Sequence, residues 1–212
     1  MKKDLTQIII VLDRSGSMAS VQQATISGFN EFINRQRQLP GEATLLAIKF
    51  DDQYELLYEG TLAGVPPLDE HSFVPRGMTA LHDAIGQTIH QAGQKLAAMP
   101  EEQRPEKVLF MILTDGLENA SKEYNREKIA EMIQHQRETY SWEFIFLGAN
   151  QDAVMVGSGF NIPQHAAMTY AAAPEAMLAT MAAASAYTAQ HRAGKPAAFT
   201  DEQREAALKG EA

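Results

Sequence analysis

Short apolar runs alternate along this chain with longer stretches of helical periodicity. Gln7–Leu12 is apolar on both faces, with Ile8, Ile9, Ile10 and Val11 in a row, the pattern of a strand buried from both sides. From Val21 to Gln38 the apolar positions Val21, Phe29, Phe32 and Ile33 fall near one stripe of a helix, which "LPG" at 39–41 ends. "ATLLAIKF" (43–50) predicts a second strand, and "DDQ" turns the chain into "YELLY" (54–58), its expected antiparallel partner. Residues 59–78, rich in Gly and Pro, predict a loop unusually long for a compact domain, a feature that commonly carries function.

A second helix is predicted from about Ala80, with Leu81, Ile85, Ile89, Ala92 and Leu96 at helical spacing and a stop before "PEEQRPE". "KVLFMILT" (107–114) is a third buried strand. The polar loop "DGLENASKEYN" follows, and Ile129, Met132 and Ile133 mark another helix. "WEFIFLG" (142–148) is a further strand. Trp142 at its start, and Met168, Met177 and Met181 further on, read as packing residues. Beyond residue 150 the pattern weakens. A short edge strand is expected at 167–171, and an Ala- and Met-rich helix from Pro174, a good first helical residue. "GKP" at 194–196 reads as a linker, and Thr200 with Gln203 three residues on forms a capping-box pattern. The expected organisation is one domain over 1–193, then a linker and a short C-terminal helix or flexible tail over 194–212.

Buried strands separated by helices predict an α/β sandwich around a mainly parallel sheet. Ligands of such sheets bind beyond the carboxyl ends of the strands, near the point where the strand order reverses. The loops beginning at Asp13, Asp51, Asp115 and Gly148 are therefore the places to expect chemistry.

Composition acts mostly by exclusion. The 212 residues carry a net charge of -9, with 27 acids against 18 bases and no basic cluster, which argues against nucleic acid or an anionic membrane as partner. There are no cysteines, so disulfides, thiolate metal sites and cysteine nucleophiles are excluded. The six histidines have no zinc spacing. The apolar run near the N-terminus is too short for a leader or a membrane span, and a cytoplasmic chain is expected.

Asp13 and Asp115 each follow a buried strand directly. If those strands are neighbours, two carboxylates meet at one sheet edge, and a shared hard cation would relieve their repulsion. Ser15 and Ser17 alternate, so in an extended segment both hydroxyls face the same way. Thr79 adds a third hydroxyl at the mouth of the second helix. This all-oxygen set with two carboxylates suits Mg²⁺. Each residue also has a plainer reading: a turn and helix cap for Asp13, Ser15 and Ser17, an N-cap for Thr79, a turn for Asp115. Asp51 and Asp52 fit a hairpin turn or a supporting position beside the metal. Glu118 and Asn119 fit the rim beside Asp115 or plain loop solvation.

"DRSGS" (13–17), Thr79 in "RGMTALHDAI" and Asp115 in "ILTDGLENAS" resemble the metal-ion-dependent adhesion site of von Willebrand factor type A domains, which runs Asp-x-Ser-x-Ser, Thr, Asp in this order. The resemblance covers roughly residues 5–190, and "WEFIFLGANQDA" is similar to a bacterial and phage-type stand-alone branch. It implies a Rossmann-like, doubly wound, mainly parallel six-stranded sheet with helices on both faces and one short antiparallel edge strand, "YELLY". It implies Mg²⁺ or Mn²⁺ held by Ser15, Ser17 and Thr79 directly and by Asp13 and Asp115 partly through water, with a Glu or Asp carboxylate of a partner protein completing the shell.

The function expected is therefore metal-dependent protein binding, with no catalysis. The alternative is a structural subunit whose metal orders loops. A magnesium-dependent phosphatase or hydrolase is less well supported: the second aspartate of Asp-x-Asp-x-Thr is replaced by Ser15, and no phosphate loop or Gly-x-Ser-x-Gly elbow exists.

Overall fold

The computed structural model describes residues 1–149 and 151–209. Asn150, in the expected loop after Gly148, and the last three residues of the expected tail lie outside the described residues.

Strand β1 (Lys2–Asp13) forms the middle of the sheet. Its apolar residues Ile8 to Leu12 are at most 1 % exposed, as expected of a strand covered on both faces. A 3₁₀ turn (Gly16–Val21) leads into α1 (Gln22–Arg37), which buries Phe29, Phe32 and Ile33. Then come β2 (Glu42–Phe50), β3 (Tyr54–Thr61), α2 (Leu81–Ala98), β4 (Pro105–Thr114), α3 (Arg126–Tyr140) and β5 (Glu143–Ala149). The chain ends with α4 (Ala153–Gly159), β6 (Ala167–Tyr170), α5 (Pro174–Arg192) and α6 (Asp201–Ala207).

The sheet order is β3-β2-β1-β4-β5-β6. All neighbours are parallel except β2 and β3, so β3 is the antiparallel edge strand at the "YELLY" position. The crossovers put helices on both faces: α1 packs with α5, and α2 with α3. This is a Rossmann-like, doubly wound arrangement. From β1 the chain moves outward to β2 and β3, then returns to β4 on the other side of β1. The order thus reverses between β1 and β4, so the crevice for a ligand lies at their carboxyl ends.

Three elements differ from the sequence pattern. β1 starts at Lys2 rather than Gln7, because Leu5 and Thr6 already pair with Glu42 and Ala43. β3 runs on to Thr61, with a register shift that accommodates an extra residue near Leu57. Helix α4 was not expected. It is only seven residues long, ends in Gly159, and relies on Asp152, whose carboxylate accepts the N–H of Met155.

The capping box at Thr200 and Gln203 forms on both sides. After Gly194 the chain returns to the domain. Phe199 is buried against Tyr187, and Arg204 donates to the carbonyls of Ala167, the first residue of β6, and of Gln164 just before it. Met168, Met177, Met181 and Trp142 are all buried packing residues. No helix of the described residues is long and apolar enough to cross a membrane.

Candidate metal centre at the carboxyl edge

Because β1 and β4 are paired in parallel, with Leu12 opposite Leu113, the residues that follow them emerge side by side. Thr114 Oγ1 donates to Asp13 Oδ2 at 2.5 Å, and the Ser15 N–H donates to Asp13 Oδ1 at 2.6 Å. Ser17 Oγ donates to Asp115 Oδ1 at 2.6 Å and lies 3.1 Å from Ser15 Oγ. Thr79 arrives on the segment just before α2, whose backbone is fixed to both neighbours. Arg76 N–H donates to the Arg14 carbonyl, and Gly16 N–H to that of Gly77; Ala80 N–H donates to the Asp51 carbonyl. Gly77 has φ 69°, and a Cβ there would lie 2.5 Å from Asp52 Oδ1, so this close passage needs glycine.

The three hydroxyls converge. A Cβ built on Gly116 would lie 2.9 Å from Thr79 Oγ1, 3.4 Å from Ser17 Oγ and 3.6 Å from Ser15 Oγ. Glycine at 116 therefore leaves open the space that Ser15, Ser17 and Thr79 face. Asp13, Ser15, Thr79 and Asp115 are nearly inaccessible, whereas Gly16 and Ser17 are exposed and open the cluster to solvent.

Burial pushes the Asp13 carboxyl up to about 6, against the opposing hydrogen bonds from Thr114 and Ser15; the charge of Asp115 adds to the rise. Burial also raises Asp115, against the Ser17 hydrogen bond. Among the described residues no lysine or arginine forms an ion pair with Asp13. Asp51, equally buried, has two: Arg14 Nε at 3.2 Å and Arg76 Nε at 2.8 Å. The two aspartates thus end adjacent strands in opposite electrostatic settings, one already neutralised by cations and one not.

The donor set fits a hard divalent cation. It is all oxygen, it brings two carboxylates for charge, and its hydroxyls share one open space. Among the described residues no group of three or more His, Cys, Asp or Glu side chains could hold a metal, so the two carboxylates here need further oxygen donors.

The plainer readings fare differently. Ser15 precedes the 3₁₀ turn, but its side chain makes no capping bond. Thr79 is not the N-cap of α2; that position is Ala80, and the helix is capped from the loop between β4 and α3. Glu118 Oε2 accepts the His82 N–H at 2.9 Å and Ser121 Oγ accepts the Asp83 N–H at 3.0 Å. Glu118 also accepts from the N–H groups of Ala120 and Ser121. Burial raises its carboxyl, but these bonds outweigh it and hold the group below the usual range. Asn119 Oδ1 accepts the Thr79 N–H at 2.9 Å, while the Asn119 N–H donates to the Thr79 carbonyl at 3.0 Å. Glu118, half-buried, and Asn119, exposed, thus both tie the rim. Asp51 serves the hairpin turn by accepting the Gln53 N–H and spends its other oxygen on the arginines. Asp52 is exposed beside Gly77.

Sequence reasoning missed four participants. Arg14 occupies a free position of "DRSGS", yet its side chain is only 4 % exposed and bridges Asp51 and Glu55. Arg76 joins the same pair. Thr114 orients Asp13, and Gln151 Nε2 reaches the Gly116 carbonyl at 3.5 Å. Only Thr114 left a local signal, as the last residue of its strand beside Asp115.

The fold is that of von Willebrand factor type A domains, as the resemblance of the motifs implied. No family model matches the sequence, and no curated protein does. Among solved structures, the chain is similar to proximal thread matrix protein 1 from the mussel byssus with a zinc-occupied MIDAS motif (TM-score 0.62, 15 % identity), covering 87 % of this chain and 46 % of that one. It is similar to a von Willebrand factor type A protein from Catenulispora acidiphila (TM-score 0.58, 16 % identity, 87 % of this chain and 42 % of that one). A third is the ArnB paralog VWA2 from Sulfolobus acidocaldarius (TM-score 0.55, 19 % identity, 86 % and 45 %). The chain spans less than half the length of each of these three.

Proposed function

We propose that this protein is a divalent-cation-dependent protein-binding module. Asp13, Ser15, Ser17, Thr79 and Asp115 hold Mg²⁺ or Mn²⁺ at the carboxyl edge of the sheet, and a Glu or Asp side chain of a partner protein binds there. The observation that carries this reading is the convergence of three hydroxyls on the space above Gly116, beside two carboxylates whose burial disfavours their charge. The mussel protein of the same fold, with zinc in its MIDAS motif, supports the chemistry by analogy.

The cation supplies a positive centre at a position open to an external carboxylate. The chain's own residues do the rest. Asp13 and Asp115 bring compensating charge, and Thr114 and the Ser15 N–H fix the orientation of Asp13. Arg14 neutralises Asp51 and so keeps a third buried carboxylate from adding to the local negative charge.

A loop-ordering role is less well supported. Most ties between the loops run through Glu118, Asn119, Arg76 and Asp51; of the proposed ligand side chains, Ser17 and Asp115 bond to each other across two loops and Asp13 accepts from Thr114. Nor is catalysis proposed: Ser15 and Ser17 bond to each other, Ser17 donates to Asp115, and no histidine is among their hydrogen-bond partners in the described residues.

Isothermal titration with Mg²⁺ and Mn²⁺ tests the metal, comparing wild type with Asp13→Ala and Asp115→Ala after circular dichroism has shown both folded. Binding by wild type alone is expected. A pull-down in Mg²⁺ and in EDTA tests capture, with a metal-dependent partner lost in Asp13→Ala as the expected result. Equal capture in every condition would move recognition away from this edge.

A further inference from the structure

Nine large apolar side chains are exposed among the described residues, and two of them flank the candidate metal centre: Met78 at 55 % and Leu117 at 64 %. Single exposed apolar residues are ordinary on a protein surface. What distinguishes this pair is its placement. Met78 directly precedes Thr79, and Leu117 directly follows Gly116, whose missing side chain opens the space facing the hydroxyls.

Neither residue is exposed because its backbone is loose. The Met78 segment is held on both sides by the Arg76–Arg14, Gly16–Gly77 and Ala80–Asp51 bonds. The Leu117 segment is held by Glu118 and by the N–H groups of Asn119 and Ala120, both of which donate to the Thr79 carbonyl. Those last bonds join the two segments directly, so Met78 and Leu117 project from adjoining, fixed backbones. Folding gains nothing from a large apolar side chain turned to water at either place. Binding does: pre-fixed apolar groups beside a polar anchor contribute affinity with little ordering cost, and methionine adapts to varied surfaces.

We infer that the ligand is a protein segment in which the metal-seeking Asp or Glu is flanked by large apolar side chains, which pack on Met78 and Leu117. This deepens the proposed function and rests on it. The carboxylate alone would not discriminate among the many acidic residues on protein surfaces, whereas the apolar flanks would.

The test uses displayed libraries of short random peptides with a fixed central Asp or Glu, and matched libraries with Asn or Gln there. Selection runs in Mg²⁺ and in EDTA against the full chain and against Met78→Ser/Leu117→Ser. Both residues are exposed and outside the ligand set, and Mn²⁺ titration and a thermal melt check that metal binding and fold survive. Metal-dependent enrichment of acidic peptides with apolar flanks, bound on the order of tenfold more weakly by the double variant, is expected. Metal-dependent acidic peptides without apolar flanks, bound equally by both proteins, would overturn this inference and leave carboxylate capture standing. No metal-dependent preference for the acidic libraries would overturn both.

Discussion

The two ends of the sheet bury different things. At the carboxyl end sit all four buried charged residues of the described chain, Asp13, Arg14, Asp51 and Asp115, together with Ser15, Thr79 and Thr114. At the amino end the charges stay at the surface, as in the exposed Lys2–Glu42 pair, and a cavity of about 310 Å³ has a mixed lining, with Leu96, Val108 and Trp142 beside Glu101, Arg104 and Glu106. Elsewhere, buried threonines are absorbed locally: Thr25, Thr88, Thr180 and Thr188 each donate to a carbonyl one turn back in their own helix. Burying charge is costly unless it is paired. This fold confines that cost to one edge, at its topological switch point. The amino end shows that the architecture itself does not require it.

The largest test of that contrast is Asp51→Ala. It removes the buried carboxylate shared by Arg14 and half-exposed Arg76, leaves them only the partly exposed Glu55, and should cost about 3 kcal/mol in urea unfolding. A loss no greater than that of a surface pair would remove the distinction between the ends. Next comes metal itself. Mg²⁺ at a hundredfold excess over its Kd should stabilise wild type by about 2.7 kcal/mol in thermal melts, and should leave Asp115→Ala unchanged. A smaller effect is expected for Gly116→Ala, whose Cβ would press on Thr79 Oγ1 from 2.9 Å. Metal affinity should fall about tenfold, equivalent to about 1.4 kcal/mol, with the fold retained by circular dichroism. Thr200→Ala removes one half of the α6 capping box and should cost about 1 kcal/mol, read as faster amide exchange over 201–207. At the amino end, Lys2→Ala should stay within about 0.5 kcal/mol of wild type, because both partners of its ion pair are exposed.

Much of this edge was legible along the chain. Buried strands running into Asp13 and Asp115 predicted carboxylates at the ligand crevice; the hydroxyls of Ser15 and Ser17 do meet, but with Ser17 in a 3₁₀ turn rather than in the extended segment that the alternation supposed. These signals are local: periodicity sets the strands, and a polar residue directly after a strand must lie at its end. The reading of Thr79 as a helix cap failed for a non-local reason. The α2 N-terminus is capped by Glu118 and Ser121, about forty positions away, and nothing near Thr79 announces them. Arg14 was opaque for the same reason, since an arginine in a polar turn looks solvated until Asp51 and Glu55 arrive from the neighbouring hairpin.

The sequence by itself determined the strands, most of the helices, the parallel architecture and the five oxygen-bearing side chains. Each follows from periodicity, turn chemistry or position at a strand end, which act over a few residues. Only the tertiary structure decided that β1 and β4 are neighbours, that Gly116 stands where the three hydroxyls meet, that Glu118 and Asn119 tie the rim, and that Arg14 is buried against Asp51. Those outcomes depend on which distant segments share an edge, and strand order and long-range hydrogen bonds fix that only once the whole sheet has formed.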